Sequence, residues 1–502
     1  MKITSAYKTK ILLYNDIFSD TLTVYQQAVS FFVGVIHQHH EPILALKGKK
    51  QNSLIERFCV KTKKNPSPSY DFSQSFYKFP SYYRRAAIQF ALGHVKSYLS
   101  NLENWQKSGQ QKGKPTLQLA HKTFPVLYHA QSVKRPDAHT AKIKIYHQND
   151  WIWLDVNLKP RDVSYIKKHC TDKTAKAPTL IKKGKCWYLS TPYEKQVTLP
   201  EKNIAAKIVA VDLGINHSAV CSVMNADGTV TGRSFIDQPV EKDRLDHLLG
   251  QIKKSQMSGA ARNNRLWALA NNKNREIAIR TASAIVAFAK ERGAGVIVLE
   301  HLDTRGKKKG SKKQKLQLWR HREITTRVTH QAHMQGIRVS TVSARNSSAL
   351  AFDGSGRVKR NEQNASLCTF PSGKQYNCDL SASYNIGARY FVREIIKTLP
   401  ETVELAVLAK VPGLAKRTTC TLSSLISLNA ELKAMVLPDS EFCALSTTVR
   451  ILPKAREAPS KRLGGEGSPA TMSFQIGLAG TKSKWKPAVL EKLEKSKAVE
   501  VD

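Results

Sequence analysis

Asp212 lies inside the apolar run "VAVDLGINHSAVCSV" (209–223), directly before a glycine turn, in a chain that is sparing with acids. The 502 residues hold 80 Lys+Arg against 39 Asp+Glu, a formal net charge of +41. Two further acids occupy comparable places: Glu300 follows the fully apolar "VIVL", and Asp379 opens "CDLSASYNIGARYFVREIIKTL". Three converging carboxylates repel one another unless divalent cations bind them. Mg²⁺ is hard, prefers oxygen and keeps several waters, so two or three carboxylates suffice when substrate phosphate completes the shell. Two such ions about 4 Å apart, with Mn²⁺ able to replace Mg²⁺, activate a water and stabilise the leaving oxygen of an in-line phosphodiester displacement. Each acid also has a plainer reading. An Asp before Gly is a turn former, Glu300 is an acid at a strand end, and Asp379 is a helix N-cap.

The elements around these acids decide whether they can meet. "KIVAVDLGI", "HSAVCSVMN" and "TVTGRSFI" read as three short strands, with Asp227-Gly228 a hairpin signal. Two helical segments follow across 241–292, lined by Leu245, Leu248, Leu249 and Ile252 and by Ile277, Ala282, Ile285 and Ala289. "GVIVLEHL" is a fourth strand, a helix runs to about 335, "IRVSTVSA" is a fifth strand, and a last helix starts at Asp379. The order βββ-α-β-α-β-α predicts a mixed sheet in an α/β layer. Its first three strands form an antiparallel meander, and the first and fourth lie parallel through a helical crossover. That is an RNase H-like arrangement, and it brings Asp212 and Glu300 to one sheet edge within reach of Asp379.

Elsewhere the chain reads as separate modules, and its length suggests roughly three domains. Residues 1 to about 11 form a lone strand, and 17 to 110 are mainly helical. In "SYYRRAAIQFALGHVKSYLSNLENW", Ile88, Leu92, Val95, Leu99 and Leu102 recur at helical spacing as a core stripe. Tyr82, Tyr83, Arg84 and Arg85 ahead of it are either nucleic-acid contacts or a solvated helix start. Residues 115–205 alternate as strands, with a turn at Asn149 and Asp150, and predict a β-rich barrel or sandwich in which Trp151, Trp153 and Trp187 pack. A basic run from Arg305 holds Lys307, Lys308, Lys309, Lys312, Lys313, Lys315, Arg320 and Arg322. It is either a solvated loop or a contact for RNA or DNA beside Glu300. The composition beyond about 450 is that of a disordered tail. A charge of +41 calls for a polyanionic partner, and nucleic acid gains by counterion release. A membrane partner is disfavoured, since no apolar run approaches roughly 20 residues. The start lacks the features of a secretory signal. No two of the eight cysteines form a C-x-x-C pair. A bacterial cytosolic or nucleoid location is therefore expected.

"VAVDLGI", "VIVLEHL" and "CDLSASYNIGARY" resemble the three RuvC motifs of the TnpB family, transposon-encoded relatives of type V CRISPR effectors, with the CRISPR-associated TranC offshoots similar too. The resemblance implies that Asp212, Glu300 and Asp379 are the catalytic metal ligands. It also implies a multidomain α/β protein. A wedge strand spans 1–11, a helical recognition domain 12–114, and a β-barrel-like wedge domain 115–205. The RNase H-like (RuvC) nuclease domain spans 206–344, with a helical insertion at 241–292. A hairpin insert for target nucleic acid spans 345–378, the third-motif helix 379–398, and a partly disordered C-terminal extension 399–502. Family members commonly carry two C-x-x-C pairs that hold zinc in the insert. Here Leu350 and Asp353 stand at the first pair, and only Cys368 and Cys378 remain. No zinc is expected, and packing must hold the insert.

The function so implied is RNA-guided, Mg²⁺-dependent cleavage of double-stranded DNA. A structured guide RNA pairs with one strand, and the protein reads a short flanking motif. Two rivals remain: an RNA-guided effector that binds without cutting, and an RNase H-like transposase or resolvase that needs no RNA.

Overall fold

A five-residue stretch with every apolar side chain buried, Ile208–Asp212, forms the centre of the largest sheet. The computed structural model describes residues 1–13, 16–63, 65–110, 113–117, 123–201, 207–260, 262–302, 318–361, 363–364 and 366–436. These fall into two compact units. The first takes Met1–Ser30, Phe76–Phe90 and the described chain after 117; the second takes Phe31–Ser75 and Ala91–Leu117.

In the first unit the strand above, β8, is joined by β9 (Ala219–Met224), β10 (Val230–Ile236), β11 (Val296–His301) and β12 (Arg338–Ser343) in the order β10-β9-β8-β11-β12. β8, β9 and β10 are antiparallel neighbours, whereas β8, β11 and β12 run parallel. This is the mixed RNase H-like sheet that the strand order predicts. The β9–β10 hairpin turns at Gly228, φ +93°, while the Asp227 carboxylate accepts from the Thr229 amide at 2.8 Å.

Both faces of the sheet are covered, which is why its middle strands are apolar runs rather than alternating ones. On one face Val209, Val211, Ile297 and Leu299 meet α8 (Asn264–Glu291) through Ala282, Ile285 and Ala289, and α9 (His321–Met334) through Ile324 and Val328. Helix α7 (Pro239–Met257) precedes α8 and pairs with it, with Ile252 buried and Leu245, Leu248 and Leu249 half-buried. On the other face Ile208, Ala210, Val296 and Val298 meet α10 (Cys378–Ile396). Gly387 allows that approach, since a Cβ there would stand 2.9 Å from Met224 Sδ and 3.3 Å from Ala210 Cβ.

The same core continues past the third-motif helix. Helices α11 (Glu401–Lys410) and α12 (Leu422–Val436) bury Val407, Leu425 and Leu428 against it. Residues 401–436 thus share the core of the five-stranded sheet. The remainder of the expected tail lies outside the described residues.

The first unit also holds two smaller sheets. β1 (Lys2–Lys10) pairs along its whole length with β7 (Cys186–Gln196), which also takes β5 (Thr174–Ala175) and β6 (Thr179–Lys183). β2 (Val133–Lys134), β3 (Thr140–His147) and β4 (Asp150–Asn157) form the other. The β3–β4 turn is shifted by one residue from the expected place. Gln148 and Asn149 take positive φ, 48° and 62°, as a two-residue hairpin turn demands, and Asp150 opens β4. Trp187 is buried and donates to Asp16 Oδ1 at 2.9 Å, but Trp153 is 37% exposed, with Lys134 and Lys144 over its ring. One helix, α6 (Pro160–His169), interrupts the strands; Pro160, Asp162 and the basic last turn are its signals, and it buries no residue.

The second unit is helical. Helices α1 (Phe18–Gln38) and α5 (Ser81–Lys107) run through both units, and α2 (His40–Ala45), α3 (Lys49–Cys59) and α4 (Phe72–Ser75) belong to the second alone. Phe32 stacks on Phe72 at 4.9 Å, beside buried Ile36, Ile43 and Ile55. In the predicted stripe of α5, Ile88, Leu92 and Val95 are buried, and Leu99 and Leu102 are half-buried. Among the described residues no helix is long and apolar enough to cross a membrane.

Candidate active site

Register decides which acids meet. In the parallel β8–β11 pair Val211 stands opposite Leu299, so the next residues, Asp212 at the end of β8 and Glu300 one before the end of β11, lie at the same sheet edge. Alternation points both toward the α10 face, with Ala210 and Val298. The two carboxyl groups lie close enough to act on each other's ionisation. Burial, then the facing Glu300 and Asp379 charges, hold the Asp212 carboxyl well above the usual range. Burial also raises Glu300, against the Ser347 hydroxyl and the Arg389 charge.

Asp379 is the second residue of α10, and it is not the cap. Asn377 holds that position, its side chain accepting from the Leu380 amide at 2.9 Å. Asp379 is thus relieved of capping and lies in the first turn, where the helix dipole favours an anion. Burial raises its carboxyl, while His217 and Arg360 pull it down. Asp379 acts electrostatically on Asp212.

The donors are hard oxygens, and a buried acid whose carboxyl is raised by burial and a facing charge gains from a bound cation. Among the described residues no three His, Cys, Asp or Glu side chains stand together as a closed ligand set. An Mg²⁺ that keeps its waters needs only one or two carboxylates, so Asp212 and Glu300 fit one ion as they stand.

Several neighbours were invisible in the sequence. His217 sits in the loop after β8, its Nδ1 3.9 Å from Asp237 Oδ2 and its ring edge-on to Phe235. Its place in the "GINHS" segment was a signal available but not used. Arg360 reaches the acids from β13 (Lys359–Arg360), far away in the chain. Ser347 Oγ donates to Glu300 Oε1 at 2.5 Å from the loop after β12.

The 345–378 segment, which lacks four thiolates, packs around a small sheet. β13, β14 (Leu367–Thr369) and β15 (Gln375–Asn377) form a small sheet over a cluster of Ala351, Cys368, Phe370 and Cys378. Burial and the adjoining Cys378 push the Cys368 thiol up to about 12, so it is not a thiolate. Asp353 accepts from the Ser355 amide and from Ser372 Oγ as a turn former, and Leu350 bridges to Arg357 with no donor atom in its side chain.

The expected nucleic-acid contacts divide. Tyr83 must be withdrawn: it is fully buried, and its hydroxyl donates to the Lys144 carbonyl at 2.7 Å. Helical spacing puts Tyr83 on the buried face of α5 with Ala86 and Ala87. Tyr82 is half-buried beside Tyr128, Arg84 is half-buried, and Arg85 is exposed with its guanidinium over the Tyr82 ring. Arg320 is committed to Glu323 and Asn271. Arg322 lies in the first turn of α9, half-exposed or more. Lys307, Lys308, Lys309, Lys312, Lys313 and Lys315 lie outside the described residues.

Comparison with known proteins adds the following. The profile of the Aq_aa04 family matches residues 5–147. A TnpB-like protein, aq_aa05 of Aquifex aeolicus (strain VF5), is 27% identical over 236 residues, 42% of this chain and 77% of that protein. The uncharacterized protein aq_aa04 of the same organism is 31% identical over 121 residues, 21% of this chain and 68% of that protein. Among solved structures, CasPhi-2 (Cas12j) bound to crRNA superposes with a TM-score of 0.41 at 10% identity, covering 76% of this chain and 97% of that one.

Proposed function

We propose, on the premise that this chain belongs to the Aq_aa04 family and is a relative of TnpB, that it is an RNA-guided DNA endonuclease cutting by metal-dependent phosphodiester hydrolysis. The observation that carries the reading is the register that puts Asp212 and Glu300 side by side at the edge of an RNase H-like sheet, with Asp379 acting on Asp212 from α10.

Asp212, Glu300 and Asp379 are the carboxylates that would hold divalent ions here. Mg²⁺, replaceable by Mn²⁺, supplies the activation of water and the stabilisation of the leaving oxygen. The side chains of this protein supply the rest. Covered strand faces exclude water behind the acids, Ser347 orients Glu300, and Arg360 places positive charge beside the site where substrate phosphate must approach. Water is the nucleophile, so no covalent intermediate forms on the chain.

The charge of +41 suits a guide RNA with its heteroduplex on target double-stranded DNA. Base pairing then supplies sequence specificity while the protein grips backbones and reads a short flanking motif. The test uses the full chain purified with its co-bound RNA, which is sequenced and used to design a matching duplex. Cleavage of that duplex in Mg²⁺, its loss in Asp212→Ala, and retained RNA-dependent binding by the variant are the expected results. Binding without cleavage by the wild type would favour a binding-only effector. Strand transfer or junction cutting by RNA-free protein would favour the transposase or resolvase.

A further inference from the structure

Arg389 lies on α10 within the nuclease core and is 4% exposed. Its guanidinium makes four hydrogen bonds, all to backbone carbonyls of two distant segments. Nη1 donates to Ser343 at 2.7 Å and to Arg345 at 2.9 Å, in the loop after β12. Nε donates to Cys420 at 3.2 Å and Nη2 to Thr418 at 3.1 Å, ahead of α12. One turn earlier Asn385, also buried, repeats the arrangement. Its Nδ2 donates to the Ser347 and Leu350 carbonyls at 3.0 and 2.9 Å, and its Oδ1 accepts from the Leu422 amide at 3.2 Å. The loop fastened in this way carries Ser347, whose hydroxyl meets Glu300.

We propose that Arg389, seconded by Asn385, is a positioning residue of the nuclease centre: it ties the 343–350 loop to the 418–422 segment so that Ser347 holds the Glu300 carboxylate in one orientation. The inference rests on the nuclease reading above and adds that the chain beyond the third acidic motif builds the metal site. A buried cation normally takes a carboxylate as its hydrogen-bonding partner. Arg389 spends its donors on carbonyls, and the acid that its charge faces is Glu300. A planar fork suits two-segment bridging, and a single ammonium does not. Partners that orient a ligating carboxylate typically change metal affinity about 10–100-fold when lost.

The test measures Mn²⁺ binding to the full chain by the electron paramagnetic resonance of free ion, with thermal melts alongside, for Ser347→Ala, Ser347→Thr, Arg389→Lys and the Ser347→Ala/Arg389→Lys double variant. Ser347→Ala and Arg389→Lys should each weaken binding roughly tenfold, and Ser347→Thr, which keeps the hydroxyl, should stay near wild type. The double variant should be no weaker than the worse single one, because both act through the same hydroxyl. Should Arg389→Lys melt below the assay temperature, Asn385→Ser takes its place in the cycle. Lower melting temperatures with unchanged Mn²⁺ affinity, or losses that multiply in the double variant, would overturn the positioning role alone. A wild type that binds Mn²⁺ no better than Asp212→Ala would sink the nuclease reading, and the positioning role with it.

Discussion

Asp212 and Glu300 lie one residue past the paired Val211 and Leu299 on two parallel strands, so the buried Asp212 carboxyl faces the Glu300 charge. Burial and the facing charges raise Asp212 above its ordinary value of 3.8. A carboxyl whose folded value is raised adds stability that is complete below the unfolded value and is lost as pH rises through the folded one. The metal-free protein therefore gives up stability on going from acid to neutral pH.

It follows that Asp212→Asn, which keeps the shape and donates to Glu300 without ionising, should melt higher than wild type in EDTA at neutral pH. The excess, about 1–3 kcal/mol by analogy with other relieved buried charges, should shrink toward pH 4. Mg²⁺ should raise the wild-type melting temperature and leave the variant unmoved, while cleavage disappears. An Asn variant less stable than wild type in EDTA would show that the acids do not strain the fold.

Gly387 lets α10 lie close against the sheet strands β8 and β9. A Cβ would press on Met224 Sδ and Ala210 Cβ, both buried. Gly387→Val should cost about 1–3 kcal/mol through overpacking, read as a lower denaturation midpoint. Gly387→Ala should cost less, because the helix-propensity gain of about 1 kcal/mol offsets part of the clash and the Met224 side chain can turn away.

How far the sequence revealed this site follows from the kind of interaction involved. Apolar strands ending in acids follow from period and burial, so β8, β11 and the placing of Asp212 and Glu300 were legible. The C-terminal helices were readable in principle: Leu422, Leu425 and Leu432 recur at helical spacing, but their partners are surfaces that exist only once the sheet has formed. Arg360, Ser347 and Arg389 left no local signal, since each acts on groups distant in the chain. Tyr83 was misjudged because a tyrosine beside arginines looks like a phosphate contact until the helix phase is fixed.

Arg320 is a basic residue whose partners include its own helix neighbour Glu323. It donates to Glu323 at 2.9 Å, Arg327 and Arg275 converge on the same carboxylate, and burial fails to offset the Arg327 and Arg320 bonds that hold Glu323 below its usual range. Arg320→Ala should lower stability by about 0.5–1 kcal/mol and leave the salt dependence of RNA binding unchanged. That loss should fade as pH falls below the ordinary carboxylate range and Glu323 protonates. A reduced salt slope in this variant would instead make Arg320 a phosphate contact.

Capping and chemistry at the start of α10 can be separated, because two neighbouring residues carry them. Asn377 satisfies the Leu380 amide, so Asn377→Ala should cost about 1 kcal/mol of stability. Asp379 makes no cap bond, and burial raises its carboxyl by more than His217 and Arg360 lower it. Asp379→Ala should therefore hold or raise the melting temperature of the metal-free protein while removing target cleavage. Asn377→Ala should retain cleavage at temperatures where it stays folded. The reverse pattern, a stability loss in the Asp379 variant with cutting preserved, would return Asp379 to the role of a helix-start acid. It would also leave the Asp212–Glu300 pair without the third carboxylate that a two-ion site needs.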